Sequence, residues 1–314
     1  MSGLRVVFMG TPDFAVPCLD RLVKDNCEIL TVVTQPDRPK GRGRKLTPSP
    51  VKEAALRYGL PVLQPEKIKT PDFIDQIVAL KPEAIVVVAF GQILPQSLLN
   101  VPKLGCINVH ASILPKYRGA APIHWAVING ERVTGVTTMY MDAGLDTGDM
   151  ILKKEVNILP DDTTGELYDK LGLLGADLLS DTLRLMIQGD VPREKQDGSQ
   201  ATYASMITRE TEQIDWHQSA EAVHNLVRGL NPWPSAYCRH DGKILKIWQT
   251  RVKEESQTIV GTPGQVVAVG ENGCIVATGA GLVELRQVQP ESKKRMSAVE
   301  YVRGYGLNVG EILG

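Results

Sequence analysis

The segment Asn108-Val109-His110-Ala111-Ser112 ends a short apolar run with an amide and an imidazole two residues apart. Side chains alternate along an extended strand, so Asn108 and His110 share one face and aim at one small volume. An amide N–H placed there can stabilise an oxyanion, and an imidazole can move a proton near neutral pH. A second polar cluster, Asp142-Ala143-Gly144-Leu145-Asp146-Thr147-Gly148-Asp149, is a glycine-rich acidic loop after another apolar run. One of its carboxylates set against His110 would orient the ring and tune its charge. Spacing leaves Asp142, Asp146 and Asp149 equal candidates. The loop lacks the spacing and terminal Glu of an EF-hand, which argues against calcium. Cys18, Cys27, Cys106, Cys238 and Cys274 are scattered, and His124, His217, His224 and His240 lack ligand spacing, so no metal is expected. The same scatter reads as reduced intracellular thiols.

A third feature is charge. Between Gln35 and Lys52 stand Arg38, Lys40, Arg42, Arg44, Lys45 and Lys52 against Asp37 alone, a net +5 on a chain whose total is −1. Gly41 and Gly43 make this loop adaptable and prolines bracket it. Phosphate contacts that order on binding RNA are the chemistry it suits. Lys293-Lys294-Arg295 is a second basic cluster, with the same reading. The near-zero total excludes a uniformly basic nucleic-acid binder, and 5% aromatic residues argue against a base-stacking sheet. Trp233, between two prolines, reads as a packing anchor at a domain junction, and Trp125, Trp216 and Trp248 as packing residues too.

The elements that must position these groups follow from periodicity. Leu4–Met9, Ile29–Thr34, Ala84–Phe90, Cys106–His110, Gly135–Met141 and Met150–Ile158 are short apolar runs rich in β-branched residues, and Pro61–Leu63 reads as a short strand. Helical spacing separates them after Pro12, over Val51–Tyr58, over Phe73–Leu80 and over Ile123–Ile128, and a long amphipathic helix spans Leu167–Ile187. Ala84–Phe90 is continuous and apolar, as a central parallel strand buried on both faces should be. The alternation predicts an α/β fold, a Rossmann-like, doubly wound, mostly parallel sheet. Gly10-Thr11-Pro12 lacks the later glycines of a dinucleotide fingerprint, and no Walker-type loop occurs, so Gly10–Pro12 reads as a structural turn. After Gly189 the texture changes. Short strands between glycine turns predict a small C-terminal OB-like β-barrel. The chain of 314 residues therefore divides into a catalytic domain 1–189, a polar linker 190–208 and a C-terminal domain 209–314. The N-terminus lacks a signal-peptide pattern and no run approaches a membrane span, which predicts a cytoplasmic protein without membrane partners.

Several segments carry a resemblance. They are Gly10-Thr11-Pro12-Asp13-Phe14-Ala15, Thr34-Gln35-Pro36-Asp37-Arg38-Pro39 with Gly41-Arg42-Gly43 and Pro48–Lys52, Asn108-Val109-His110 with Ser112–Pro115, Tyr117–Ile123, Met141–Met150 and Asn231-Pro232-Trp233-Pro234. Over essentially its whole length the chain resembles the methionyl-tRNA formyltransferases, within the folate-dependent formyltransferase superfamily. Ile113 and Ala111 stand where that family usually has Leu and often Gly. The resemblance implies Asn108, His110 and Asp146 as the catalytic triplet, with Asp146 chosen by motif and not by spacing. It implies 10-formyltetrahydrofolate as donor and the methionyl α-amino group of charged initiator tRNA as acceptor. It places the folate at Phe90, Gly91, Gln92 and Ile93, at Ser112, Ile113, Leu114 and Pro115, and at Asp142 and Gly144. Arg42 matches the residue that reads the unpaired end of the acceptor stem, with Arg38, Lys40, Arg44 and Lys45 around it and Lys293, Lys294 and Arg295 on the barrel. A monomer is expected. A sugar-nucleotide formyltransferase of the same superfamily, sharing the triplet, is the alternative. An RNA-binding module on a degenerate enzyme fold is a third, against which the intact triplet speaks.

Overall fold

A computed structural model describes residues 3–40, 45–253 and 261–314, apart from the side chains of Lys40 and Lys45. The chain falls into two compact units. The first comprises Met1–Gly119, Thr134–Val156 and Tyr168–Tyr203; the second comprises Ala120–Val133, Asn157–Leu167 and Ala204–Gly314.

Strands of the first unit are β1 (Arg5–Gly10), β2 (Glu28–Val33), β3 (Arg38–Lys40), β4 (Lys45–Thr47), β5 (Val62–Leu63), β6 (Ala84–Val88), β7 (Cys106–His110), β8 (Arg118–Gly119), β9 (Val133–Tyr140) and β10 (Met150–Asn157). Seven of them form one sheet in the order β10-β9-β7-β6-β1-β2-β5. Pairing is parallel from β7 to β5, and β9 runs antiparallel to β7. The expected mostly parallel, Rossmann-like sheet is what forms. Helices α1 (Val16–Lys24), α2 (Pro50–Arg57), α3 (Pro71–Leu80) and α4 (Gln96–Leu99) make the crossovers. Each of α2 and α3 opens with a proline, whose missing N–H is an orphan donor there anyway. All five residues of β6 are buried, as a strand covered on both faces requires. Val7, Met9, Phe73, Ile77, Ile85 and Val87 belong to one core beneath the sheet. Chain order reverses between β1 and β6, so the crevice beyond the carboxyl ends of β1, β6 and β7 is where this topology leaves room for ligands.

The long α6 (Thr164–Gln188) belongs to the first unit from Tyr168 onward; beyond α5 (Pro122–Ile128), the second unit holds α7 (Arg209–Glu212), α8 (Ala220–Gly229) and α9 (Ala298–Tyr305). Its strands follow β11 (Tyr203–Ala204): β12 (Ala236–His240), β13 (Lys243–Lys253), β14 (Val266–Val269), β15 (Cys274–Ala277), β16 (Leu282–Pro290) and β17 (Met296–Ser297). The antiparallel path is β12-β13-β16-β15-β14, with β17 on β16. Register shifts near Gln249 let the long β13 bend. The expected barrel does not close: β12 and β14 end the path and do not pair among the described residues. The C-terminal tail lies in that gap. Leu313 N–H bonds Gly264 O at 2.8 Å, Val266 N–H bonds Glu311 O at 2.8 Å, and Gly314 N–H bonds Arg239 O at 2.9 Å. A tail strand thus satisfies backbone groups of both edges.

Residues 190–208, expected as a linker, are held in place up to Tyr203 by the first unit. Met150 and Glu194 exchange backbone hydrogen bonds of 2.8 and 2.9 Å, and Arg118 N–H donates to Thr202 O at 2.8 Å. The segment lacks periodicity because its ties are polar, to backbone groups and to single charged or amide side chains, which leave no mark in hydrophobic patterning. No helix among the described residues is long and apolar enough to cross a membrane.

Candidate active site

Asn108 and His110 end β7 and reach the same carboxylate. Asn108 Nδ2 donates to Asp146 Oδ1 at 3.3 Å, and His110 Nδ1 lies 3.7 Å from Asp146 Oδ2. The His110 side chain is 7% exposed and that of Asp146 16%. The ring's other nitrogen, Nε2, is 2.9 Å from Tyr117 O. A carbonyl can only accept, so Nε2 carries the proton and Nδ1 faces Asp146. At 3.7 Å that pair is too long for a direct hydrogen bond, and it becomes an ion pair when Nδ1 is protonated. Asp146 Oδ2 also accepts Gly119 N–H at 2.8 Å. One amide, one imidazole and one carboxylate therefore converge beyond the carboxyl end of a central strand.

Of the acidic residues that spacing left equal, tertiary structure separates all three. Asp142 Oδ1 accepts from Gly144 N–H at 3.0 Å and from Thr147 Oγ1 at 2.6 Å, so it shapes its own loop. Asp149 pairs with Arg193 at 3.4 Å. Asp146 alone of the three turns to His110, from a left-handed backbone with φ 52°. Gly148 lies so close to the Tyr140 carbonyl that a Cβ would collide with it, which brings the loop down onto β9. Sequence reading missed Gln196. Its Nε2 donates to Asp146 O and Gly148 O, each at 2.8 Å, and its Oε1 accepts from Arg118 Nε at 3.0 Å and Nη2 at 2.7 Å. No periodic signal marks it, since it stands in the aperiodic segment after α6.

The residues expected around a pterin lie in the segments that follow β6, β7 and β9. Phe90 is buried, and its carbonyl accepts from Thr11 Oγ1 at 2.9 Å and Gln35 Nε2 at 3.3 Å. Gly91 follows at φ 89°, a turn that favours glycine. The Gln92 side chain accepts from Ile68 N–H at 3.2 Å, and Ile93 is 69% exposed. Ser112 is buried with its hydroxyl on Lys116 O at 2.6 Å; Leu114 is buried and Leu114–Pro115 is cis. Ile113 lies between, half-buried, and Asp142 and Gly144 are exposed. A cavity of about 340 Å³ opens elsewhere, at the start of β7, lined by Lys103, Gly105, Cys106, Tyr140, Met186 and Arg193. Lys103 is paired with Glu83 at 2.7 Å and Arg193 with Asp149, and none of the triplet lines it.

Residues 4–183 match the formyl transferase family model, and residues 206–306 match that of the formyl transferase C-terminal domain. The methionyl-tRNA formyltransferase of Clostridioides difficile (strain 630) is 53% identical over 99% of this chain and 100% of its own. That of Bacillus subtilis (strain 168) is 53% identical over 99% of this chain and 98% of its own. The chain belongs to the methionyl-tRNA formyltransferase family. Solved structures agree on the fold of this formyltransferase. HypX from Aquifex aeolicus in complex with tetrahydrofolic acid matches with a TM-score of 0.66 at 17% identity, over 99% of this chain and 49% of that one. WlaRD, a sugar 3N-formyl transferase, matches with a TM-score of 0.65 at 20% identity, over 94% of this chain and 100% of that one.

The formyltransferase carries its basic residues unevenly. Arg38 and the backbones of Lys40 and Lys45 belong to the antiparallel β3–β4 pair, while Arg42 and Arg44 lie outside the described residues. The base of the pair is tied down. Lys52 Nζ and Asp37 are 2.7 Å apart, and Gln64 Nε2 donates to Asp37 Oδ1 at 2.7 Å and Gln35 O at 2.9 Å. Asp37 thus cancels Lys52 and leaves the remaining five cations as the excess. In the second unit Lys293 and Lys294 are exposed, whereas the Arg295 guanidinium stacks 3.2 Å from the Trp248 ring centroid. Trp233, expected to be packed, is 70% exposed. The turn is anchored by other groups: Asn231 Nδ2 donates to Trp248 O at 2.9 Å, Lys246 Nζ to Pro234 O at 3.2 Å, and His124 Nε2 to Trp233 O at 3.3 Å.

Proposed function

We propose that this chain transfers the formyl group of 10-formyltetrahydrofolate to the α-amino group of methionine esterified to initiator tRNA. The observation that carries the reading is the meeting of Asn108, His110 and Asp146 at one point beyond β7, in a chain of this family. The neutral amine attacks the formyl carbon and an oxyanion develops. Asn108 Nδ2 carries two hydrogens; one goes to Asp146, and the other faces the oxyanion. Such a donor contributes roughly 2.7–4 kcal/mol in comparable sites. His110, with Nε2–H committed to Tyr117, works through Nδ1. It receives the proton that the amine loses, held as an ion pair with Asp146, and passes it to the departing folate nitrogen as the old C–N bond breaks. No covalent enzyme intermediate is required.

The pterin is held by Phe90, Gly91, Gln92 and Ile93, by Ser112, Ile113, Leu114 and Pro115, and by Asp142 and Gly144. Their backbone groups offer donors and acceptors to a flat heterocycle, with apolar neighbours as walls. Arg38, Lys40, Arg42, Arg44 and Lys45 meet phosphates and the acceptor end, with Lys293, Lys294 and Arg295 as further contacts. The test is formyl transfer from the folate donor to charged initiator tRNA at saturating substrates. His110→Ala and Asp146→Ala should each lower kcat by about 100-fold or more. Near wild-type turnover in either would sink the assignment.

A further inference from the structure

We infer that Gln196 and Arg118 form a clasp that positions the catalytic carboxylate of Asp146. The inference rests on the reading above, in which Asp146 serves the transfer. Arg118 is 5% exposed, and a buried guanidinium needs an acceptor. It finds Gln196 Oε1 through Nε at 3.0 Å and Nη2 at 2.7 Å. An arginine can only donate and a backbone carbonyl can only accept, so the orientation of the Gln196 amide is determined by its partners. Its NH2 then gives one hydrogen to Asp146 O and one to Gly148 O, each at 2.8 Å. All four hydrogen-bonding positions of the amide are used.

The clasp grips both sides of a strained point. Asp146 has φ 52°, a left-handed conformation uncommon for a residue other than glycine, though aspartate tolerates it better than most. Gln196 fixes the carbonyls of Asp146 and of Gly148, two residues on. Arg118 is also the neighbour of Gly119, whose N–H donates to Asp146 Oδ2 at 2.8 Å. One arginine therefore links the group that holds the backbone of Asp146 to the group that holds its carboxylate. Nearby contacts seat the same strand of chain: Arg193 pairs with Asp149 and stacks 4.2 Å from the Tyr140 ring centroid, and Glu194 bridges to Met150. The span Arg193–Gln196 is a brace for the catalytic loop. Gln196 touches no reacting atom and is a positioning residue.

Gln196→Glu is the informative variant. It keeps the size of the side chain and an acceptor for Arg118, yet sets an oxygen against two carbonyl oxygens. We expect kcat for formyl transfer to fall about 10- to 100-fold, the cost of a misplaced catalytic group, with KM for tRNA and folate within about twofold. Gln196→Ala should behave alike, and thermal melting of both variants reports whether the fold is retained. The deciding measurement is a double-mutant cycle with Asp146→Asn. A residue that acts through Asp146 adds no further loss once Asp146 is disabled, whereas a general destabiliser multiplies its loss in full. Wild-type kcat in folded Gln196→Glu or Gln196→Ala, beside an impaired Asp146→Asn, would overturn the clasp alone. Full multiplication in the cycle would do the same. Wild-type kcat in Asp146→Asn would instead overturn the catalytic reading, and the clasp with it.

Discussion

Asp146 receives Asn108 on one oxygen and Gly119 on the other, and no other side chain of its loop could take that place. Asp142 is turned inward onto Gly144 and Thr147, and Asp149 is turned outward onto Arg193. Spacing carries no information on this, because the choice depends on a left-handed backbone at a single residue. Trp233 teaches the opposite lesson. Two flanking prolines suggested a packed ring, but they stiffen the backbone and do not bury the indole. Trp216 and Trp248 are 4% and 8% exposed against 70% for Trp233. Trp233→Phe should therefore remove the largest share of acrylamide-quenchable fluorescence, and an unchanged quenching constant would contradict the exposure of this ring.

At the scale of elements, a basic hairpin is useful only if its base is fixed. Asp37 is the pin, and its carboxyl is held below the usual carboxylate range by hydrogen bonds from Lys52 first and Gln64 second. A carboxyl depressed in the folded state contributes above its unfolded pKa and loses that contribution as pH falls through the folded value. The pin should therefore hold from neutral pH down into the ordinary carboxylate range and release only below it. Gln64→Ala cuts this base without altering any charge. It should raise the tRNA KM by about twofold to tenfold, the worth of one or two hydrogen bonds, and leave the folate KM unchanged. An unaltered tRNA KM would remove the pin from substrate binding. The basic segment was legible as charge and proline bracketing, but read as a loop; the β3–β4 pairing within it was not foreseen. Nor was its pin, because Gln64 is a lone amide after a two-residue strand.

On the scale of the whole molecule, a net charge of −1 averages an excess of five cations near β3–β4 against acidic residues elsewhere. The second unit shows how far a strand count can mislead. Short strands between glycine turns were expected to close on themselves, yet β12 and β14 do not pair, and the tail, whose Leu313 is 1% exposed, bonds backbone groups at both edges. Leu313→Ala should destabilise this unit by about 2–5 kcal/mol, the usual range for a buried leucine. An undisplaced urea midpoint would show that the tail is dispensable. His240 lies at the same seam, bonded to Tyr301 Oη at 2.7 Å and Glu311 at 3.2 Å, which ties the tail to α9.

From sequence alone came the alternation that makes a parallel sheet, the shared face of Asn108 and His110, and the motifs that place the chain in its family. These are local or periodic properties, set by strand geometry and by residue type. Spacing left three carboxylates equal and the motif implied Asp146; the tertiary structure showed that Asp146 is the one facing His110, tied a supposed linker down around Gln196, exposed Trp233 and put the tail in the open edge of the second sheet. These outcomes rest on contacts between residues far apart in the chain, side chain to side chain at Asp146 and largely to backbone groups at Gln196 and the tail, which no local or periodic pattern displays.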